Sequence, residues 1–211
     1  MRTREPTASL MLYHLFKWSV VAPVLKFYLQ GRVYGMEHVP KKGPLVIVAN
    51  HASDFDPPLL SCSVRRPVSY MAKEELFKVP ILSQAITLYG AYPVKRGSPD
   101  RSAIRAALGQ LENGWAVGIF LSGTRTPDGR ISEAKLGAAM IAAKAQVPIL
   151  PVSLWGTHRI LPKGVKWPRS VPITIRIGQL LPPPDSSQRD ALEERTAQCV
   201  AQIHALHDLG R

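Results

Sequence analysis

The chain predicts an α/β fold, a mixed and largely parallel sheet flanked by helices. Three observations carry that reading. Short β-like runs at 44–49, 67–72, 88–94, 116–121, 147–153 and 172–177 alternate with helical segments. Several of these runs are apolar throughout, as strands covered on both faces are. The intervening segments carry helix start and stop signals, which supply the crossovers a parallel sheet needs.

The elements follow in order. Residues 8–29 are apolar and aromatic but are interrupted by Lys17, Pro23 and Lys26. No uninterrupted run of about 18 apolar residues occurs, so a spanning helix is not expected. No clean small-residue cleavage site follows a short apolar core, so a signal peptide fits poorly. Tyr13, Phe16, Trp18, Phe27 and Tyr28 beside lysines suit an amphipathic helix docked in a membrane interface, its lysines snorkelling to the polar side. Packing on the domain is the alternative. The expected organisation is an N-terminal interfacial helical segment at 1–30 and a single domain at 31–211.

The run Pro44–Ala49 leads into Asn50-His51-Ala52-Ser53-Asp54-Phe55-Asp56, followed by Pro57 and Pro58. Proline pushes the residue before it out of the helical region, so Asp56 is expected to cap a short helix with Pro57 at its first position. Ser98-Pro99-Asp100 opens the next helix, with Ile104, Ala107, Leu108 and Leu111 on one face and Asn113-Gly114 closing it. An alanine-rich helix is expected over 133–145. A last one runs over 187–208, with Leu192, Thr196, Cys199, Val200 and Ile203 on its buried face, set off by Pro182-Pro183-Pro184.

A chain of 211 residues can bury one substantial core. With 27 Lys+Arg against 15 Asp+Glu it carries a net charge of +12. That balance favours acidic lipid headgroups, phosphorylated substrates, acidic carrier proteins or nucleic acid. No recognised DNA- or RNA-binding motif is present, so nucleic acid is not an expected partner. The two cysteines, Cys62 and Cys199, lack metal-ligand spacing and fit a reducing compartment. His14, His38, His158, His204 and His207 form no ligand cluster and read as structural or exposed.

Chemistry concentrates at strand ends. His51 and Asp56 are five residues apart, about 500° of rotation on a continuous helix, so a contact between them requires a turn. Given one, His51 accepts a proton while Asp56 fixes its tautomer and stabilises the imidazolium. The alternative is that Asp54 or Asp56 merely caps the helix. Lys95 and Arg96 end the run Tyr92-Pro93-Val94 beside Gly97, where Arg96 can clamp a phosphate and Lys95 add a point charge. Gly123-Thr124-Arg125 follows the buried run 116–121, offering N–H groups, a hydroxyl and a guanidinium to an anion. Ser122 is no hydrolase nucleophile, because Phe120 and Thr124 stand where a Gly-x-Ser-x-Gly elbow needs glycine. Val147-Pro148-Ile149-Leu150-Pro151-Val152 lines an acyl or glycerol pocket or is plain core.

In order and spacing these segments resemble the glycerolipid acyltransferase family over roughly residues 31–180. Its first block, Asn-His-x-Ser-x-x-Asp, is matched in full by Asn50 to Asp56. The arginine closing its second block is matched by Arg96, and its Val-Pro-x-x-Pro-Val run by Val147 to Val152. The third block, Phe-Pro-Glu-Gly-Thr-Arg-Ser, appears as Phe120-Leu121-Ser122-Gly123-Thr124-Arg125-Thr126, with the proline and glutamate replaced by Leu121 and Ser122.

The resemblance implies acyl transfer from acyl-CoA or acyl-carrier protein to the sn-2 hydroxyl of 1-acyl-glycerol-3-phosphate, giving phosphatidic acid. His51 and Asp56 would be catalytic. Asn50, Ser53, Lys95, Arg96, Gly123, Thr124 and Arg125 would bind substrate, with backbone N–H groups near Gly123 stabilising the oxyanion. No metal or redox cofactor is implied. The expected location is an anionic membrane surface at the cytoplasmic face. The altered third block leaves two alternatives: a different lysophospholipid or lyso-aminolipid acceptor, or a non-catalytic membrane-binding protein on the same scaffold.

Overall fold

A computed structural model of the chain describes residues 7–80, 83, 86–87, 91–94, 101–162 and 164–211. Its centre is a seven-stranded sheet of β1 (Arg32–Tyr34), β2 (Leu45–Ala49), β3 (Val68–Lys73), β4 (Tyr92–Val94), β5 (Ala116–Phe120), β6 (Ile149–Trp155) and β7 (Thr174–Ile177). The spatial order is β1-β7-β6-β2-β5-β3-β4. Every pairing is parallel except β6 with β7. The sheet is therefore mixed and largely parallel, as the apolar runs predict.

β2 is fully buried along its length and lies between β6 and β5. Successive side chains point to opposite faces of a strand. Leu45, Ile47 and Ala49 join one core with Val21, Leu25, Leu29, Leu59, Leu60 and Ile175. Val46 and Val48 join the other with Ala107, Leu111, Ile141, Ala142, Cys199 and Ile203. Both faces are covered by helices, which is why this strand carries no polar alternation. The second face is covered by α3 (Arg101–Glu112), α4 (Gly137–Ala145) and α5 (Arg189–Asp208). The first receives α1 (Thr7–Phe16), its π-helical continuation and α2 (Asp56–Val64).

Three expectations are adjusted. β1 is an extra edge strand, too short and exposed to announce itself in the pattern. The alanine-rich helix begins at Gly137, four residues late. The run 147–153 is central core: Ile149, Leu150, Val152 and Leu154 are buried. Its Pro151 sits where the β7 side of the ladder slips, between the Ile149–Leu181 bridge and the Val152–Ile177 pair. One extra residue on that side forms a bulge-like interruption, a position where proline is tolerated. The opening signal at 98–100 and residues 88–90 of the third β-like run lie outside the described residues.

The N-terminal helix is anchored by a stripe of every fourth residue: Tyr13, Lys17, Val21, Leu25 and Leu29 are all buried. On a pure α-helix each such step drifts by about 40°. Two π-helical turns, Lys17–Val21 and Val24–Tyr28, take more residues per turn and cancel that drift. Tyr13 donates to Ser61 O at 2.9 Å, pinning the helix to α2. Lys17 departs from the snorkelling expectation. It lies on the buried stripe, with its ammonium 5.5 Å from the Tyr13 ring and 5.2 Å from the Trp18 ring. Burial lowers its pKa. The opposite side of the helix exposes Met11, Leu15, Trp18 and Phe27. No helix among the described residues is long and apolar enough to cross a membrane.

Candidate active site

β2, β5 and β6 run parallel, so the residues after Ala49, Phe120 and Trp155 emerge at one end of the sheet. The turn after β2 brings His51 and Asp56 together. His51 Nδ1 lies 2.8 Å from Asp56 Oδ2. The same oxygen accepts from Ala52 N at 2.7 Å and Ser53 N at 2.8 Å. Asp56 is fully buried while His51 keeps 17% of its side-chain surface open. Asp56 is thus not the N-cap the prolines suggest. Phe55 precedes the helix, and the carboxylate turns back toward the residues before it. The reason is local: the backbone N–H groups of Ala52 and Ser53 converge on a carboxylate at the head of the helix, where negative charge is favoured. With Nδ1 donating to Asp56, the imidazole lone pair sits at Nε2, the open side of the ring.

His51 is held on two further sides. Its carbonyl accepts from Thr126 N at 2.8 Å and Thr126 Oγ1 at 3.1 Å, tying the β2 turn to the β5 loop. Its ring stacks on Phe120 at 4.0 Å and 17°, and Phe120 lies nearly parallel to Tyr70 at 6.0 Å and 11°. Gly118 makes this row possible, because a Cβ there would stand 2.3 Å from Tyr70 Cε1. Tyr70 OH donates to Pro57 O at 3.0 Å. Sequence reasoning quoted Phe120 only as part of a motif and missed Tyr70, Gly118 and Thr126 as supports. A glycine inside an otherwise apolar strand is the one signal that could have flagged the close approach.

The remaining expected residues divide. Asn50 is fully buried, and its amide is engaged with Leu154 N (2.7 Å), Leu154 O (2.9 Å) and Gly129 O (2.7 Å). It clamps the β2 turn to β6 and to the 120s loop, and this geometry leaves it no amide group for a substrate. Ser53 is buried and accepts from Phe55 N at 3.3 Å. Gly123, Thr124 and Arg125 are exposed on the turn after β5. Gly123 N donates to Phe120 O at 3.0 Å, so its own N–H is not available to an oxyanion. Ser122 Oγ donates to Thr124 O at 2.6 Å and closes that turn from within. Arg125 pairs with Asp54, joining the third block to the first. Lys95 and Arg96 lie outside the described residues.

A second polar layer backs the turn. His207 Nδ1 lies 3.3 Å from Ser153 Oγ, and a Cβ on Gly129 would stand 3.3 Å from His207 Cε1 and 3.2 Å from Asn50 Nδ2. Burial pushes the pKa of His207 and of His158 below the ordinary value. Among the described residues, Asp56 Oδ1 is buried without a hydrogen-bond partner. The whole arrangement, an oriented imidazole at the carboxyl end of the sheet beside an exposed Gly-Thr-Arg turn, is suited to removing a proton from a hydroxyl held next to an anion.

A protein-family model described as Acyltransferase matches residues 30–155. Over 150 residues the chain is 33% identical to the chloroplastic 1-acyl-sn-glycerol-3-phosphate acyltransferase of Brassica napus, covering 70% of this chain and 43% of that protein. Over 145 residues it is 33% identical to the 1-acyl-sn-glycerol-3-phosphate acyltransferase of Bacillus subtilis, covering 67% of this chain and 72% of that one. The match spans 41% of an Arabidopsis thaliana relative and 60% of one from Borreliella burgdorferi, so the chain spans about half the length of these relatives. The crystal structure of the 1-acyl-sn-glycerophosphate acyltransferase PlsC from Thermotoga maritima superposes with a TM-score of 0.71 at 27% identity, over 94% of both chains.

Proposed function

The chain belongs to the Acyltransferase family, and on that premise we propose that it moves a fatty acyl group from acyl-CoA or acyl-carrier protein to the sn-2 hydroxyl of 1-acyl-glycerol-3-phosphate, forming phosphatidic acid. The observation that carries this reading is the 2.8 Å contact between His51 and the fully buried Asp56. His51 Nε2 takes the acceptor's proton as the hydroxyl attacks the thioester carbonyl, and Asp56 stabilises the imidazolium that forms. The thiol of the donor leaves with the proton. No acyl-enzyme is needed, since no activated Ser or Cys stands beside His51 among the described residues.

Arg125 and Thr124 hold the acceptor's phosphate, with Lys95 and Arg96 as further anion ligands. Asn50 and Ser53 act by fixing the turn that carries His51. Because Gly123 N–H is already bonded, the oxyanion is stabilised by N–H groups further along the same turn. Residues 1–30 form an interfacial segment whose exposed Trp18 and Phe27 enter lipid, and 31–211 form the acyltransferase domain. The enzyme works on the anionic cytoplasmic face of the membrane, where the lysolipid resides. A different acceptor, another lysophospholipid or a lyso-aminolipid, is favoured by two features: Asp54 neutralises Arg125, and Ser122 replaces the motif's glutamate.

The test is acyl transfer by purified protein in lipid vesicles, wild type against His51→Ala, with lysophosphatidic acid and other lysolipids as acceptors and both donor types. Phosphatidic acid from wild type alone supports the reading. Transfer to another lysolipid only identifies the alternative acceptor. Equal rates in His51→Ala overturn the mechanism.

A further inference from the structure

We propose that the loop between β6 and β7 is a second membrane anchor, with Trp167 as its inserted side chain and an anionic lipid bilayer as its partner. Trp167 is 81% exposed, the most exposed of the large apolar residues described, with Leu161 open nearby in the chain. Exposed indoles set among cations are what a bilayer interface accommodates. Lys166 and Arg169 flank Trp167 and are both exposed.

The loop is tied to the N-terminal helix. Tyr28 OH donates to Pro168 O at 2.6 Å, and Ser170 Oγ donates to Tyr28 O. Ile173 N donates to Leu29 O at 3.2 Å. Phe27, 75% exposed, lies one residue before that tie, as Trp167 lies one residue before Pro168. Both exposed side chains thus neighbour one hydrogen-bonded junction between the helix and the loop.

That junction lies at the catalytic end of the sheet. β6 is parallel to β2, and the loop leaves it just after Trp155, one residue beyond the Leu154 that clamps Asn50. Thr174 opens β7 opposite Trp155, and Arg32 opens β1 opposite Thr174. The helix therefore ends, and the loop starts and ends, on the side where His51 emerges. Charge agrees with the assignment. The sequence contains no Asp or Glu between Glu5 and Glu37, nor between Glu133 and Asp185. Both segments are cationic without internal neutralisation, which suits anionic headgroups. Two points of attachment fix the orientation of the catalytic end over the bilayer, where one helix alone leaves rotation about its axis free.

The inference rests on the proposed membrane location but adds a site to it, and the experiment separates the two. In full-length Trp18→Phe protein the remaining exposed indole is Trp167, since Trp115 is buried and Trp155 lies under Arg159. This protein is mixed with phosphatidylglycerol vesicles carrying brominated acyl chains, beside a Trp167→Phe protein that keeps Trp18. Quenching and a blue shift of Trp167 emission are expected. Trp167→Ser should weaken vesicle partition at least tenfold through lost apolar contact, and Lys166→Ala with Arg169→Ala about thirtyfold. Circular dichroism confirms that each variant is folded. If Trp18 is quenched and Trp167 is not, the helix reading stands and this inference falls. If Trp167 alone is quenched, the inference stands and the helix reading falls. If Trp167→Ser leaves partition intact but raises KM for an acidic carrier-protein donor, the loop is a protein-docking site and the proposal is wrong.

Discussion

Replacing Asp56 by asparagine separates what the carboxylate does for the fold from what its charge does for the reaction. One oxygen, Oδ2, accepts from His51 Nδ1 (2.8 Å), Ala52 N (2.7 Å) and Ser53 N (2.8 Å). The other, Oδ1, is buried and has no partner among the described residues. An asparagine amide oxygen can take the place of Oδ2 and keep all three bonds in neutral form. Its NH2 then falls where Oδ1 was, a buried donor without an acceptor, costing about 1–3 kcal/mol. Alanine leaves the part-buried Ala52 donor and the buried Ser53 donor unpaired, so its cost is about 2–6 kcal/mol. In catalysis, asparagine removes the charge that stabilises the imidazolium. The expected loss in kcat is roughly 10²–10⁴, the usual range for a positioned acid–base group. That corresponds to about 3–5 kcal/mol of barrier. Thiol release from acyl-CoA in vesicles measures the rate, and urea unfolding measures stability. Asp56→Asn should be folded and nearly as slow as His51→Ala. An Asp56→Asn enzyme within tenfold of wild-type kcat, or an Asp56→Ala protein as stable as wild type, would refute the reasoning.

Further outcomes follow from other parts of the site. Gly118→Ala places a Cβ 2.3 Å from Tyr70 Cε1 and 2.8 Å from Val68 Cγ1; overpacking of about 1–3 kcal/mol and a reduced kcat through the displaced Phe120–His51 stack are expected in parallel unfolding and rate measurements. Arg125→Ala should leave stability within about 0.5 kcal/mol, because its pair with Asp54 is largely exposed, yet raise KM for an anionic lysolipid; an unchanged KM would remove Arg125 from the acceptor site. Burial, then the neighbouring Arg130, holds the His207 pKa below 6.5, and burial, then Arg159, does the same for His158. The unfolded chain therefore binds more protons than the folded one below about pH 6.5, and stability is lost as pH falls through that value toward the folded pKa. The urea midpoint should hold near pH 8 and decline toward pH 5, with a shallower decline in His207→Phe; a midpoint that rises on acidification contradicts the burial argument. Cys199, with its thiol raised to about 12 by burial, should resist thiol reagents until the protein is unfolded, and rapid labelling of the native protein at Cys199 would show that α5 opens readily.

The sequence by itself determined the sheet and the place of the chemistry. An apolar run such as Leu45–Ala49 carries its own burial, because only a strand covered on both faces omits polar alternation. The two prolines after Asp56 likewise favour a break in the chain, and a contact between His51 and Asp56 requires a turn. Contacts across the chain were not legible. Phe120 stacks on His51 from a strand 69 positions later, and Asn50 clamps Leu154, 104 positions away; neither register is written locally. For the same reason Asn50 read as a substrate ligand, when the fold encloses its amide. Lys17 read as a snorkelling lysine until two π turns placed it on the buried stripe. Periodicity and turn chemistry act between neighbours in sequence, so they set which elements form. Which side chains meet at the end of the sheet depends on strand order and register, and those are set by how the two cores close around β2.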